Sequence, residues 1–208
     1  SMEFGVLMPH FGEYAQPQQL LERARKLDEY GFDSLWVRDH LIWKPHAFEG
    51  NDRTFIDAII TMSAIAAVTK SIKIGAAVLI PIRWPLKVAQ DLACLDYLSG
   101  GRIEAGLGLG GNPTELGAAG FKVEDIKELF AETVEICRKV WSEDNVSYSG
   151  ELFSFEDVTI RPKPLKPLNI WYGGTTRASV RRTLDYCDGW LPGRIPMSAL
   201  GDSLDYMR

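Results

Sequence analysis

A histidine beside an aspartate and two glycine-rich turns are the parts of this sequence equipped for chemistry. The stretch Arg38-Asp39-His40-Leu41-Ile42-Trp43 follows a short apolar run, Ser34 to Val37. His40 can donate or accept a proton near neutral pH, and Asp39 can hold it or bind a ring nitrogen or hydroxyl. An ordinary loop histidine is the plainer account. The segment Leu98 to Gly111, LSGGRIEAGLGLGG, places a helix end, a short buried strand and a glycine-rich loop one after another. Gly108, Gly110 and Gly111 carry no Cβ, so backbone can approach a ligand or take positive φ, and free N–H groups can point at an anion. A flexible loop after a core strand is the alternative. The run from Asn169 to Tyr172 ends in Gly173-Gly174-Thr175-Thr176, and a helix is expected to start at once. Bare N–H groups, hydroxyls and the positive end of a helix dipole together make an anion site there. Arg177 follows in the first turn and Arg194 after the next apolar run, whereas Thr175 or Thr176 can cap the helix in either case. Two glycine-rich strand ends in one parallel sheet favour phosphate binding.

Other chemistries lack their parts. No Gly-x-Ser-x-Gly elbow, supported Cys/His pair or Walker-type lysine occurs, which removes the usual nucleophile or phosphate grip of hydrolases and nucleotide triphosphatases. His10, His40 and His46 match no local metal motif, so no metal site is expected. Glu104 faces a strand interior as a filling or salt-bridged residue.

These groups need a frame. Short apolar runs at Phe4 to Met8, Ser34 to Val37, Ile72 to Ile80, Ile103 to Leu109, Asn169 to Tyr172 and Gly189 to Leu191 are each followed by helical spacing. In Gln18 to Tyr30, Leu20, Leu21, Ala24, Leu27 and Tyr30 share a helical face, and Gly31 is placed to end it. The same pattern recurs in Pro85 to Leu98 and Ile126 to Trp141. Strands that are apolar almost throughout and separated by helices imply an α/β protein whose parallel strands are covered on both faces. One domain over residues 1–208 is expected, with an insertion at about 142–167 that reads as a hairpin or extended arm, stiffened by Pro162, Pro164 and Pro167. A plain connector is the alternative for that stretch. Six βα units are visible, whereas a closed (β/α)8 barrel takes about 250 residues. An open doubly wound sheet tolerates six strands, but no glycine fingerprint opens the first unit, where Met8-Pro9-His10-Phe11-Gly12 stands instead. The expectation is therefore a TIM barrel lacking its last two units.

Composition narrows the partners. With 46% apolar residues the chain can bury a sizeable core, and its net charge of −5 with no basic stripe argues against nucleic acid. Cys94, Cys137 and Cys187 are odd in number and set among apolar neighbours, so disulfides are not expected and a cytoplasmic location is. The longest apolar stretches are too short or interrupted to span a bilayer.

The ordered series GFDSLWVRDHL, IKIGAAVLIPIRWPLKVAQDLACLDYLSGGRIEAGLGLGG, LNIWYGGTT and CDGWLPG resembles the bacterial luciferase-like family of flavin and deazaflavin oxidoreductases over nearly the entire chain. The resemblance implies a (β/α)8 barrel and, in the branch using coenzyme F420, a histidine like His40 that lies beside the deazaflavin ring and takes part in proton transfer. It also implies a non-prolyl cis peptide at Ala77-Val78 backing the ring, Leu109 and Gly110 lining the cofactor, and Gly173, Gly174 and Thr175 at its phosphate, with Arg194 as a second phosphate contact. Asp39 completes the cofactor-binding set. Sugar-phosphate dehydrogenases of that branch carry an acid where Gly111 stands, and space a tryptophan one residue farther from the histidine than Trp43 is. Both departures speak against that substrate.

The expected function is thus an F420-dependent hydride transfer to or from a small organic substrate, catalysed by His40, with Trp43 and Trp84 shaping an apolar pocket. An FMN-dependent monooxygenase served by a flavin reductase is the second expectation, and a non-catalytic flavin-binding relative the third. A homodimer is expected, with neither a membrane nor a nucleic acid as partner.

Overall fold

The computed structural model describes residues 2–110, 112–174 and 188–192. Its frame is a six-stranded sheet formed by β1 (Gly5–Leu7), β2 (Ser34–Val37), β3 (Lys73–Ala76), β4 (Ile103–Leu107), β7 (Ile170–Gly174) and β8 (Gly189–Pro192). Every pairing in it is parallel. The strands lie side by side in sequence order, with no reversal from which a doubly wound sheet would begin. Single winding in one direction is the topology of a barrel wall.

Helices α1 (Pro17–Glu29), α2 (Ala58–Val68), α3 (Pro85–Ser99) and α5 (Ile126–Ser142) alternate with these strands, and a short helix, α4 (Pro113–Ala118), follows β4. Alternate strand residues Leu35, Val37, Ile74, Ala76, Ile103 and Ala105 join Leu20, Ala24, Met62, Ile65, Leu92 and Val134 from the helices in one buried core. The opposite alternation carries Trp36, Glu104 and Trp171, and there the Trp171 indole donates to Glu104 Oε2 at 2.8 Å. Glu104 is thus an interior residue held by an indole, where a salt bridge had been an open expectation.

The third apolar run was expected to be a strand as far as Ile80. Regular pairing stops at Ala76; the Ala77–Val78 peptide that follows is cis, and a single bridge, Leu79 to Leu107, resumes beyond it. In the insertion, β5 (Val146–Ser149) and β6 (Ser154–Val158) form an antiparallel hairpin. Glu132 of α5 accepts the Leu152 and Phe153 amides at the hairpin turn, and Tyr148 donates to Glu135 at 2.7 Å. Among the described residues no helix is long and apolar enough to cross a membrane.

His10 ties the first two strand ends together. It is fully buried; its Nδ1 donates to the Ile56 carbonyl at 2.9 Å, and its Nε2 accepts the Arg38 amide at 2.9 Å. Both ring nitrogens are used as a neutral imidazole would use them. Burial, reinforced by the Arg38 charge and opposed by the Ile56 bond, lowers its pKa to about 4. The unfolded chain takes up that proton below about pH 6.5 and the folded chain refuses it, so this contribution to stability is complete above pH 6.5 and shrinks as pH falls toward 4. The whole step is worth roughly 3 kcal/mol. Urea unfolding of the wild type and of His10→Gln between these pH values is expected to show a steeper acid loss in the wild type. Equal slopes would remove His10 from the account.

Candidate active site

The site forms where the ends of β2, β3 and β4 meet, and buried carboxylates lock their loops together. Asp39, just past β2, has no exposed side-chain surface. Its Oδ2 accepts the Ile80 amide at 3.0 Å, and the two oxygens take Arg83 Nη1 and Nη2 at 2.6 and 2.8 Å, a bidentate pair. Arg83 also donates to Asp57 Oδ1 at 2.7 Å, while Asp57 Oδ2 caps α2 through the Ile60 amide. Burial opposes the charge on Arg83, but Asp39 and Asp57 more than offset it and raise the arginine pKa above its ordinary value. The Asp39 carboxylate is therefore committed to protein partners, behind the surface that a ligand would reach.

His40, the next residue, turns outward and keeps one third of its side chain exposed. Its Nδ1 lies 3.4 Å from Glu115 Oε2, the Phe55 ring meets its edge with centroids 5.5 Å apart, and no described group takes Nε2. Arg38, on the other side of Asp39, reaches Glu49 at 3.3 Å and lies over the Phe11 ring.

Ala77 and Val78 are half-buried, as is Leu109 at the end of the β4 run. Gly108 was expected to leave room for a ligand or for unusual backbone, and Gly173 to meet a phosphate. The structure assigns their missing Cβ atoms to Val78: a Cβ at either position would run into its methyls, well inside van der Waals contact. Gly110 does take left-handed backbone, with φ +71°, and is exposed. Because valine is stiff at χ1, Gly173→Ala is expected to displace Val78 and cost about 1–3 kcal/mol in chemical denaturation. A variant as stable as the parent would show that Val78 has room to move.

Trp43 is buried in a cluster with Phe11 and Phe55, at ring distances of 4.8 and 5.9 Å, and its Nε1 has no partner. Trp84 is about half exposed and meets the hairpin's Phe153 edge-on. Gly174 closes β7. Thr175 and Arg194, the rest of the expected phosphate grip, lie outside the described residues, as does Gly111.

The sequence reading missed Arg83 and Glu115. Glu115 had a readable signal: in Asn112-Pro113-Thr114-Glu115 the asparagine caps α4, accepting the Thr114 and Glu115 amides, and proline opens the helix. Nothing local marks Arg83, which meets Asp39 from 44 residues away.

The sequence profile of the luciferase-like monooxygenases matches residues 2–208. An F420-dependent glucose-6-phosphate dehydrogenase from Amycolatopsis mediterranei is 34% identical over 160 residues, which are 74% of this chain and 47% of that protein. One from Segniliparus rotundus is 32% identical over 164 residues, 76% of this chain and 48% of its own. The chain thus spans about half the length of these relatives. A monooxygenase from Streptomyces bottropensis superposes with a TM-score of 0.82 at 27% identity, covering all of this chain and 65% of its own. An F420-dependent secondary alcohol dehydrogenase, solved with an F420-acetone adduct, shares the fold with a TM-score of 0.79 at 22% identity over 99% of this chain and 64% of its own.

Proposed function

Since this chain belongs to the luciferase-like monooxygenase family, whose (β/α)8 barrel its six parallel strands build in part, we propose that it binds coenzyme F420 at the strand ends and serves hydride transfer with a small organic substrate. One observation carries the reading: past the end of β2 an outward imidazole has no described partner at Nε2, and past the end of β3, the strand paired with β2, stand the half-buried apolar residues Ala77 and Val78. That surface suits a flat ring with a proton exchanger at its edge. The dehydrogenase relatives at 32 to 34% identity support the same cofactor.

When bound, the deazaflavin supplies a carbon that carries the hydride, and the protein supplies orientation and a proton path. Val78, Ala77 and Leu109 present a floor, which Gly108 and Gly173 keep flat by admitting the Val78 methyls. Asp39 and Arg83 hold the loop that carries His40, and His40 holds or takes the accompanying proton at Nε2. Gly173, Gly174, Thr175 and Arg194 remain the proposed phosphate contacts, with Gly110 beside the ring. Glucose 6-phosphate, named for the relatives, is not the substrate proposed: Gly111 stands where the resemblance calls for an acid, and Trp43 lies inside an aromatic cluster.

The likeness to the Streptomyces bottropensis monooxygenase favours a second reading, a monooxygenase, for which FMN is the cofactor proposed. Tryptophan-fluorescence titration of the full-length protein with coenzyme F420 and with FMN separates the two. Saturation by F420 at lower concentration is the expected result; tighter FMN binding would install the second reading, and binding of neither would sink both.

A further inference from the structure

We propose that Glu115 is a positioning residue for His40, fixing its loop and selecting the imidazole tautomer that leaves the Nε2 lone pair facing outward. The role builds on the proton exchange at His40 argued above.

Glu115 is 2% exposed and comes from α4, beyond β4, yet all its side-chain partners lie just past β2. Its Oε1 accepts the Leu41 amide at 2.5 Å and the Ile42 amide at 3.0 Å, and its Oε2 faces His40 Nδ1 at 3.4 Å. Three consecutive residues are thus gripped by one carboxylate from more than 70 residues away. No arginine or lysine among the described residues pairs with it. Burying a carboxylate is costly unless every lone pair finds a donor, so the arrangement needs a proton on the nitrogen that faces it. A carboxylate offers only acceptors; a neutral imidazole has one N–H and one lone pair. With the N–H at Nδ1, the lone pair is left at Nε2, the nitrogen without a protein partner.

The other charges around His40 point elsewhere. Asp39 is bound to Arg83, Arg38 reaches toward Glu49, and Phe55 presents only a ring. Glu115 is therefore the one carboxylate among the described residues placed to choose between the two tautomers. Two loops that must stay in register for chemistry, those after β2 and β4, are joined by the same group.

The test is a long-range proton–nitrogen NMR correlation of the histidine rings in the uniformly labelled full chain, in mildly alkaline buffer. Only three histidines are present, and His40→Ala identifies the signal. The wild type is expected to show a protonated-type Nδ1 and an unprotonated-type Nε2. In Glu115→Gln the carbonyl can keep both backbone amides while its NH2 turns to Nδ1, so the two nitrogen signals are expected to exchange character. With coenzyme F420 the same variant is expected to lose about tenfold or more in kcat at unchanged cofactor affinity. A wild-type ring protonated at Nε2 overturns the proposal even if the variant does not fold. So does an unchanged tautomer in a folded Glu115→Gln. Failure of the protein to bind either cofactor would overturn the functional reading and leave the tautomer result standing.

Discussion

His40→Ala is expected to reduce turnover by about 10²- to 10⁴-fold while leaving cofactor affinity within a fewfold of the parent. The magnitude is that of a positioned general acid or base. The expectation of intact binding comes from the geometry: the floor is built by Ala77, Val78 and Leu109, and its shape is set by Gly108 and Gly173, none of which depends on the imidazole. The loop also survives the change, because Glu115 keeps the Leu41 and Ile42 amides and Asp39 keeps Arg83. Single-turnover measurements with coenzyme F420, alongside the fluorescence titration, separate the two quantities. Unchanged turnover with normal binding would remove His40 from the chemistry; lost binding would make it part of the cofactor's seat instead.

The second large effect falls on stability. Asp39→Ala is expected to cost about 3–5 kcal/mol, the range for stranding one partner of a buried ion pair. Arg83 would lose two short bonds and keep one, to Asp57, while the Ile80 amide would lose its acceptor. Because Asp57 also caps α2, part of the strain would pass into that helix start. Asp39→Asn preserves the shape and one acceptor, so it should recover part of the loss. Urea denaturation of the three proteins orders them; a loss below about 1 kcal/mol in Asp39→Ala would mean that Asp57 alone satisfies Arg83. In either variant, catalysis should suffer with stability, since His40 is the next residue on the same loop.

Chemistry and fold were legible in this chain to different depths. Periodicity placed the six strands of the parallel sheet within a few residues, because a strand buried on both faces must be apolar almost throughout and a covering helix must repeat every third and fourth residue. The cis peptide at Ala77–Val78 was legible only through the family resemblance, since no local preference of alanine or valine announces it. The glycines were found for one physical reason and are explained by another. Missing Cβ atoms at Gly108 and Gly173 admit the Val78 side chain, a contact that no spacing along the chain encodes.

What the sequence by itself determined was the alternation of strands and helices, the apolar faces and the presence of His40 at the end of a strand, all set by local periodicity and residue chemistry. What only the tertiary structure decided was who speaks to whom. Asp39 faces Arg83 rather than a ligand, His40 faces Glu115, and Trp171 holds Glu104. Those pairs join residues 44 to 75 positions apart: parallel winding brings the ends of β2, β3 and β4 to one rim, where Asp39 meets Arg83 and His40 meets Glu115, and sets β4 beside β7, where Trp171 meets Glu104. Buried charges must find partners wherever the fold puts them, and sequence distance carries no record of that choice.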